Sequence, residues 1–170
     1  MSDIPHLNAV DGTALPPSAQ RVQDALSAAG LESRVVELAV AARTSQQAAD
    51  ALGIEVGQIA KSLIFRAAVS ERAVLVIAAG DRRVSESRLQ ALLGEAVVRA
   101  TPEFVRANAG FAIGGVAPIA HAVPLVTFVD ASLRRFGVVW AAGGTPHCVF
   151  PIRPDDLARI AGGVETELTE

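Results

Sequence analysis

Seven consecutive apolar residues, Ala73-Val74-Leu75-Val76-Ile77-Ala78-Ala79, stand between Arg72 and Gly80 and constrain this chain more than any other segment. The run is too short to cross a bilayer, which takes about 20 residues. Its Val, Leu and Ile content suits a buried strand, so a strand is predicted there. VPLVTFVD, RFGVVWAAG and the short CVFPI read as further strands, SRVVEL and GEAVVRA as short ones, and VGQIAKSLIFRAA as a strand centred on residues 59–66.

Helical spacing fills the intervals. Ser18 is placed to cap a helix in which Val22, Ala25, Leu26 and Ala29 share a face, with Gly30 ending it. Thr44 or Ser45 caps a second helix that stops at Gly53. Residues 85–93 form a third, with Leu89, Leu92 and Leu93 as its apolar side. Thr101-Pro102 opens a fourth, and PDDLARIAG, capped near Pro154 or Asp155, is the last. Strands that are sometimes consecutive and sometimes separated by helices predict an α+β (mixed α/β) fold, a curved sheet flanked by helices rather than a Rossmann alternation.

A chain of 170 residues, 51% apolar and 19% charged, can bury one core. Residues 1–17, with Pro5, Gly12, Pro16 and Pro17, read as an irregular leader; residues 18–162 as a single domain; and residues 163–170 as an acidic tail carrying Glu165, Glu167 and Glu170. The first residues lack the basic start and apolar run of a signal peptide, and the single cysteine, Cys148, excludes an intrachain disulfide. A cytoplasmic protein is expected, with no membrane partner. The sequence is silent on oligomeric state.

The net charge of -3 argues against strong sequence-independent nucleic-acid binding but leaves room for a local basic rim. Of fifteen basic residues fourteen are Arg, and the exception is Lys61. A GC-rich genome accounts for the arginines. It does not account for the lysine, whose compact ammonium differs from a planar guanidinium. Strand alternation puts Lys61 on a face with Leu63 and Phe65, either at an edge reaching water or directed into a pocket.

Two glycine-rich loops are the other candidates. Residues 110–118, with Gly114 and Gly115, can expose backbone N–H groups to a carbonyl, ribose or phosphate, or simply turn the chain. Residues 141–148 contain Gly143, Gly144 and His147, a residue able to act as acid, base or positioning group or to be structural. Cys148 reads as core, because neighbours on a strand face opposite ways and His147 cannot share its side. No phosphate-binding Gly-Lys-Ser/Thr loop, nucleophile elbow, His-Glu-x-x-His or Cys-x-x-Cys occurs. The three histidines are widely separated in sequence, so neither a metal site nor a cofactor is expected.

Three segments in this order, AADALGIEVGQIAKSLIF, GFAIGGVAPIAH and VVWAAGGTPHCVFPIRPDDLARI, resemble the YbaK/prolyl-tRNA editing-domain family over roughly residues 18–161. The resemblance implies a partly barrel-like sheet and a trans-acting deacylase that hydrolyses small amino acids from mischarged tRNA, often tRNA for proline. Its partners would be the acceptor end of that tRNA and an aminoacyl-tRNA synthetase. Carried over, Lys61 matches the essential lysine, and Gly114, Gly115, Val116, Ala117 and Pro118 match the substrate-binding Gly-x-x-x-Pro loop. Lys61 would hold the terminal phosphate or ribose, and N–H groups around Gly114 and Gly115 would stabilise the oxyanion. Gly143 and Gly144 resemble the glycines bordering the pocket. Cys-specific members carry a Ser before those glycines and an Asp beyond them; Ala142 and Val149 stand at approximately those places here and His147 is added, so the resemblance does not single out Cys as the amino acid. Two other readings stay open: a tRNA-binding or synthetase-associated module of the same fold without activity, and an ester hydrolase using Cys148 and His147.

Overall fold

The computed structural model describes residues 14–170, so most of the expected leader, including Pro5 and Gly12, lies outside the described residues. The apolar run is strand β3 (Ala73–Ala79), and each of its residues is at most 7% exposed. Leu75, Ile77 and Ala79 enter one core cluster while Val74, Val76 and Ala78 enter another. Successive side chains of a strand point to opposite faces, so only a continuous apolar run can serve a sheet covered on both sides.

The other strands are β1 (Val36–Glu37), β2 (Ile59–Ala67), β4 (Val97–Arg99), β5 (Val126–Asp130), β6 (Val139–Ala142), β7 (Cys148–Ile152) and β8 (Val164–Thr166). They form one mixed eight-stranded sheet in the order β1-β7-β6-β2-β3-β5-β8, with β4 attached to β2. β2 and β3 form a long antiparallel hairpin from Ala60↔Ala79 to Arg66↔Ala73, and β5 lies parallel to β3. On its outer side β2 meets β6 in parallel at Ile59 and Ala60, then β4 antiparallel at Phe65, Arg66 and Ala67. The mixed α/β architecture expected from the sequence is the one observed.

Five helices cover the sheet. α1 (Pro17–Ala28), α4 (Pro102–Ala109) and α5 (Pro154–Ala161) pack Val22, Leu26, Val105 and Leu157 into the larger cluster. α3 (Glu86–Leu93) seats Leu89 in the cluster on the opposite face, and α2 (Ser45–Leu52) covers Ile59, Trp140 and Val149 with Ala48, Ala49 and Leu52. Thr44 caps α2 through Gln47 N–H, Ser85 caps α3 and Thr101 caps α4, each satisfying an otherwise orphaned N–H.

Several local readings are corrected. Ser18 does not cap α1: the helix starts at Pro17 after Pro16, with no side-chain cap, because proline already has the helical φ and no N–H to satisfy. α5 likewise begins at Pro154 after Arg153. Leu92 is 46% exposed, leaving Leu89 as the buried anchor of α3. SRVVEL contributes only Val36 and Glu37 to the sheet.

Residues 163–170 are no free tail. β8 lies parallel to β5, and Leu168 is completely buried. Asp130, 1% exposed, accepts hydrogen bonds from Leu168 N–H (2.9 Å), the Thr169 hydroxyl (3.1 Å) and the Ser132 hydroxyl. The segment also returns to residues 83–85, where Ser85 N–H donates to the Leu168 carbonyl and Glu170 N–H to that of Arg83. The acid count of this stretch concealed one apolar residue whose burial ties it down. Replacing Asp130 by Ala orphans two buried donors, each worth about 1 to 3 kcal/mol. Asp130→Ala is expected to lower stability by about 2 to 4 kcal/mol in urea unfolding and to speed amide exchange at Leu168.

Candidate active site

The site begins with what β2 lacks. Gly80 N–H donates to the Ile59 carbonyl and Ala67 N–H to that of Arg72. Odd-numbered residues of β2 thus turn their backbone groups toward β3, and even-numbered ones turn outward. The outer side is covered by β6 only at Ile59 and Ala60 and by β4 only from Phe65. Between them the N–H and C=O of Ser62 face a gap in the sheet.

A cavity of about 350 Å³ lies at this gap. Residues from both faces line it: Gly114 and Val116 from the 110–118 loop, and Thr44, Ser45 and Ala48 from the start of α2. β2 supplies Lys61 and Ser62, β6 supplies Trp140 and Ala141, and Thr145 and Pro146 come from the second glycine-rich loop. The walls are mainly apolar, with Arg43, Thr44, Ser45, Lys61, Ser62 and Thr145 as polar residues among them, a mixture found in sites that enclose a small ligand.

Lys61 is half-buried at the cavity, and its Nζ donates to the Arg82 carbonyl (2.6 Å) in the turn after β3. The residue borders the cavity while its ammonium is engaged by a backbone carbonyl. Burial pushes its pKa below the usual lysine value, and the nearby Asp81 carboxylate opposes that shift. Asp81 is itself gripped by Arg135 through two hydrogen bonds of 2.7 and 3.0 Å, which hold its carboxyl below the usual range.

The two glycine-rich loops meet. A Cβ on Gly115 would lie 2.7 Å from the Thr145 backbone, so only glycine permits that approach. Gly114 adopts φ +92°, and Gly115 N–H closes a turn onto the Ala112 carbonyl (3.0 Å). Gly115 N–H is thereby engaged within the loop. The N–H groups of Gly114 and Val116, both lining residues, have no partner among the described residues.

Ala117 and Pro118 stand behind this surface. The Ala117 carbonyl is bonded by His121 Nε2 (2.7 Å), whose ring packs edge-on against Phe111, and burial lowers the His121 pKa. Gly143 and Gly144 are close-packing positions rather than lining residues. Added Cβ atoms would meet Val35 and Cys148 at Gly143, and the Ser18 carbonyl at Gly144, where φ is +103°. His147 is exposed and does not line the cavity; its carbonyl accepts from Leu38 N–H. Cys148 is 1% exposed and burial pushes its thiol up, which disfavours the thiolate a nucleophile needs. The Cys148–His147 hydrolase therefore has no structural support.

Sequence reading missed Ser62. Its Oγ is, among the described residues, the one buried side-chain polar atom with no hydrogen-bond partner, and it faces a ligand-sized cavity. Serine in an apolar strand offered no signal until the gap was visible. The start of α2, whose terminus favours negative charge, was also missed as a wall of the site. No three His, Cys, Asp or Glu residues among those described cluster so as to hold a metal, and no described helix is long and apolar enough to cross a membrane.

Residues 39–160 match the model of the aminoacyl-tRNA editing domain, and the chain belongs to that family. The uncharacterized protein YwhH of Bacillus subtilis is 31% identical over 130 residues, 76% of this chain and 82% of that protein. A proline–tRNA ligase of Kosmotoga olearia is 37% identical over 100 residues, which are 56% of this chain but only 17% of the ligase. A crystal structure of a proposed trans-editing enzyme for prolyl tRNA synthetase superposes with a TM-score of 0.86 at 43% identity, covering 92% of this chain and 99% of that one.

The Gly115 contact generates a direct test. Gly115→Ala must separate the two loops or strain them, at an expected cost of about 1 to 3 kcal/mol for overpacking. Thermal melting should register that loss, and a Gly137→Ala control, where an added Cβ meets open space, should show little of it.

Proposed function

We propose that this protein is a free-standing hydrolase that cleaves the ester between a small amino acid and the 3′-terminal ribose of a mischarged tRNA. The observation that carries the reading is the conjunction at one cavity of Lys61, two unpartnered N–H groups and the unpartnered Ser62 hydroxyl. Membership of the editing-domain family supports it, as does similarity to a proposed trans-editing enzyme along nearly its whole length. Prolyl-tRNA is the synthetase context suggested by the ligase relatives, with tRNA for proline as the substrate body and a synthetase as a working partner.

In this reading Lys61 neutralises the terminal phosphate or contacts the ribose, and so fixes the ester in the cavity. Water attacks the carbonyl carbon, and the N–H groups of Gly114 and Val116 receive the negative charge that develops on the carbonyl oxygen. The alkoxide of the ribose leaves with a proton, giving free amino acid and tRNA with its terminal hydroxyl restored. The neighbouring ribose hydroxyl is close enough in the substrate itself to assist proton transfer, so the protein mainly positions. Ile113, Val116 and Trp140 are bulky apolar groups on the walls and would limit which side chain enters. Size alone discriminates by only about 1 to 3 kcal/mol per methylene.

The decisive experiment is a deacylation panel of purified protein with tRNAs charged with Ala, Ser, Thr, Cys and Pro. Turnover of at least one mischarged tRNA, with correctly charged prolyl-tRNA spared, is expected. Lys61→Ala should reduce the rate by about 100-fold or more, the size of effect seen when an electrostatic stabiliser is lost, while melting changes little. Lys61→Arg should rescue poorly because a guanidinium has a different shape at equal charge. Binding of tRNA without hydrolysis of any substrate would assign the chain to the inactive tRNA-binding module instead.

A further inference from the structure

An essential ammonium needs its charge and also needs to be unpaired. Lys61 has three N–H donors; one goes to the Arg82 carbonyl, and no carboxylate lies within ion-pair distance of it among the described residues. Yet the residue immediately before Arg82 is an aspartate, on the same tight turn. Asp81 is turned onto Arg135, which reaches it from the 3₁₀ turn Ala131–Arg135 and is itself fixed by donating Nε–H to the Ser132 carbonyl (2.8 Å). The guanidinium stacks 5.0 Å from the Phe136 ring centroid. A Cβ on Gly57 would lie 2.9 Å from Phe136 Cζ and 3.0 Å from Asp81 Oδ2, so glycine there lets both side chains close in.

We propose that Asp81 and Arg135 are positioning residues for Lys61: Arg135 holds the Asp81 carboxylate off the ammonium, leaving Lys61 charged yet free to receive a substrate phosphate or ribose. The bidentate geometry suits the task, since two parallel N–H···O bonds fix both oxygens of the carboxylate while a single one would let it rotate. The Asp81 charge remains near enough to oppose the desolvation of Lys61. The charged groups around the pair are Arg82, on the turn, and Glu55 and Asp130, which act on Arg135 from the segments beside it. None of them replaces Arg135 as a partner of Asp81 in the structure.

This inference rests on the function proposed above for Lys61, but its test does not depend on activity. Lys61 is the sole lysine, so protein labelled with 13C at lysine Cε gives one side-chain signal whose titration reports this ammonium alone. In Arg135→Gln the freed carboxylate should pair with Lys61: the titration midpoint rises, and KM for mischarged tRNA increases about five- to tenfold with kcat less affected. In Asp81→Asn the midpoint should fall. Arg135→Gln combined with Asp81→Asn should bring KM back to within about twofold of wild type, a suppression that two independent structural losses cannot give. A midpoint unmoved in both single variants, or a double variant as weak as Arg135→Gln alone, overturns the proposal. Should Arg135→Gln unfold, Arg135→Lys takes its place: a single ammonium cannot hold both oxygens of Asp81, so the Lys61 midpoint should rise, and an unmoved midpoint overturns the proposal. Should wild-type protein deacylate nothing, the proposed function fails while the titrations still decide whether Arg135 restrains Asp81.

Discussion

The structure depends on a strand left incomplete. β2 is paired with β3 along its whole length, but on the outer side its partners change from β6 to β4 and leave the middle uncovered. Backbone N–H and C=O groups are obligatory hydrogen-bonding groups, so an interrupted ladder in the middle of a sheet is costly unless something else meets them. Here a ligand-sized cavity occupies the interruption, and Ser62 presents both backbone and side-chain polar atoms there. An uninterrupted ladder would close the opening. The lysine, the loop and the start of α2 acquire a common focus because the sheet opens between them.

Around that gap the chain relies on close backbone approaches that glycine alone allows. Gly115 against Thr145 and Gly144 against Ser18 press the two loops and the first turn of α1 into one assembly. Behind it, Arg21 donates to the Gly110 carbonyl (2.8 Å) and stacks on Phe111, while His121 holds the Ala117 carbonyl. These contacts anchor the loop on either side of Gly114 and Val116, and Arg21, Phe111 and His121 do not line the cavity. Rigid support of this kind keeps the backbone N–H groups of a loop in a fixed direction.

The electrostatics follow the same economy of parts. Lys61 sits where burial weakens its charge and Asp81 restores some of it, and the carboxylate is governed from a third element by Arg135. The turn that carries Asp81 and Arg82 continues into residues 83–85, which are paired with Leu168 and Glu170. The last residues of the sequence thus brace, through the backbone, the turn that holds the lysine. What reads as an acidic tail is a support of the site.

Much of this was legible in residue order alone. The Ala73–Ala79 run specified a buried central strand because seven apolar side chains alternating across a sheet need cover on both faces. The caps at Thr44 and Thr101 followed from local hydrogen bonding, and the isolated Lys61 stood out by its chemistry against fourteen arginines. Only the tertiary structure decided which glycines line the cavity and which merely allow backbones to touch. It likewise turned His147 outward, left Ser62 unpartnered and brought Asp81 to Arg135 across 54 residues. Local patterns record the conformational preferences of a few neighbouring residues, whereas a gap between β6 and β4 exists only once strands distant in sequence have chosen their partners.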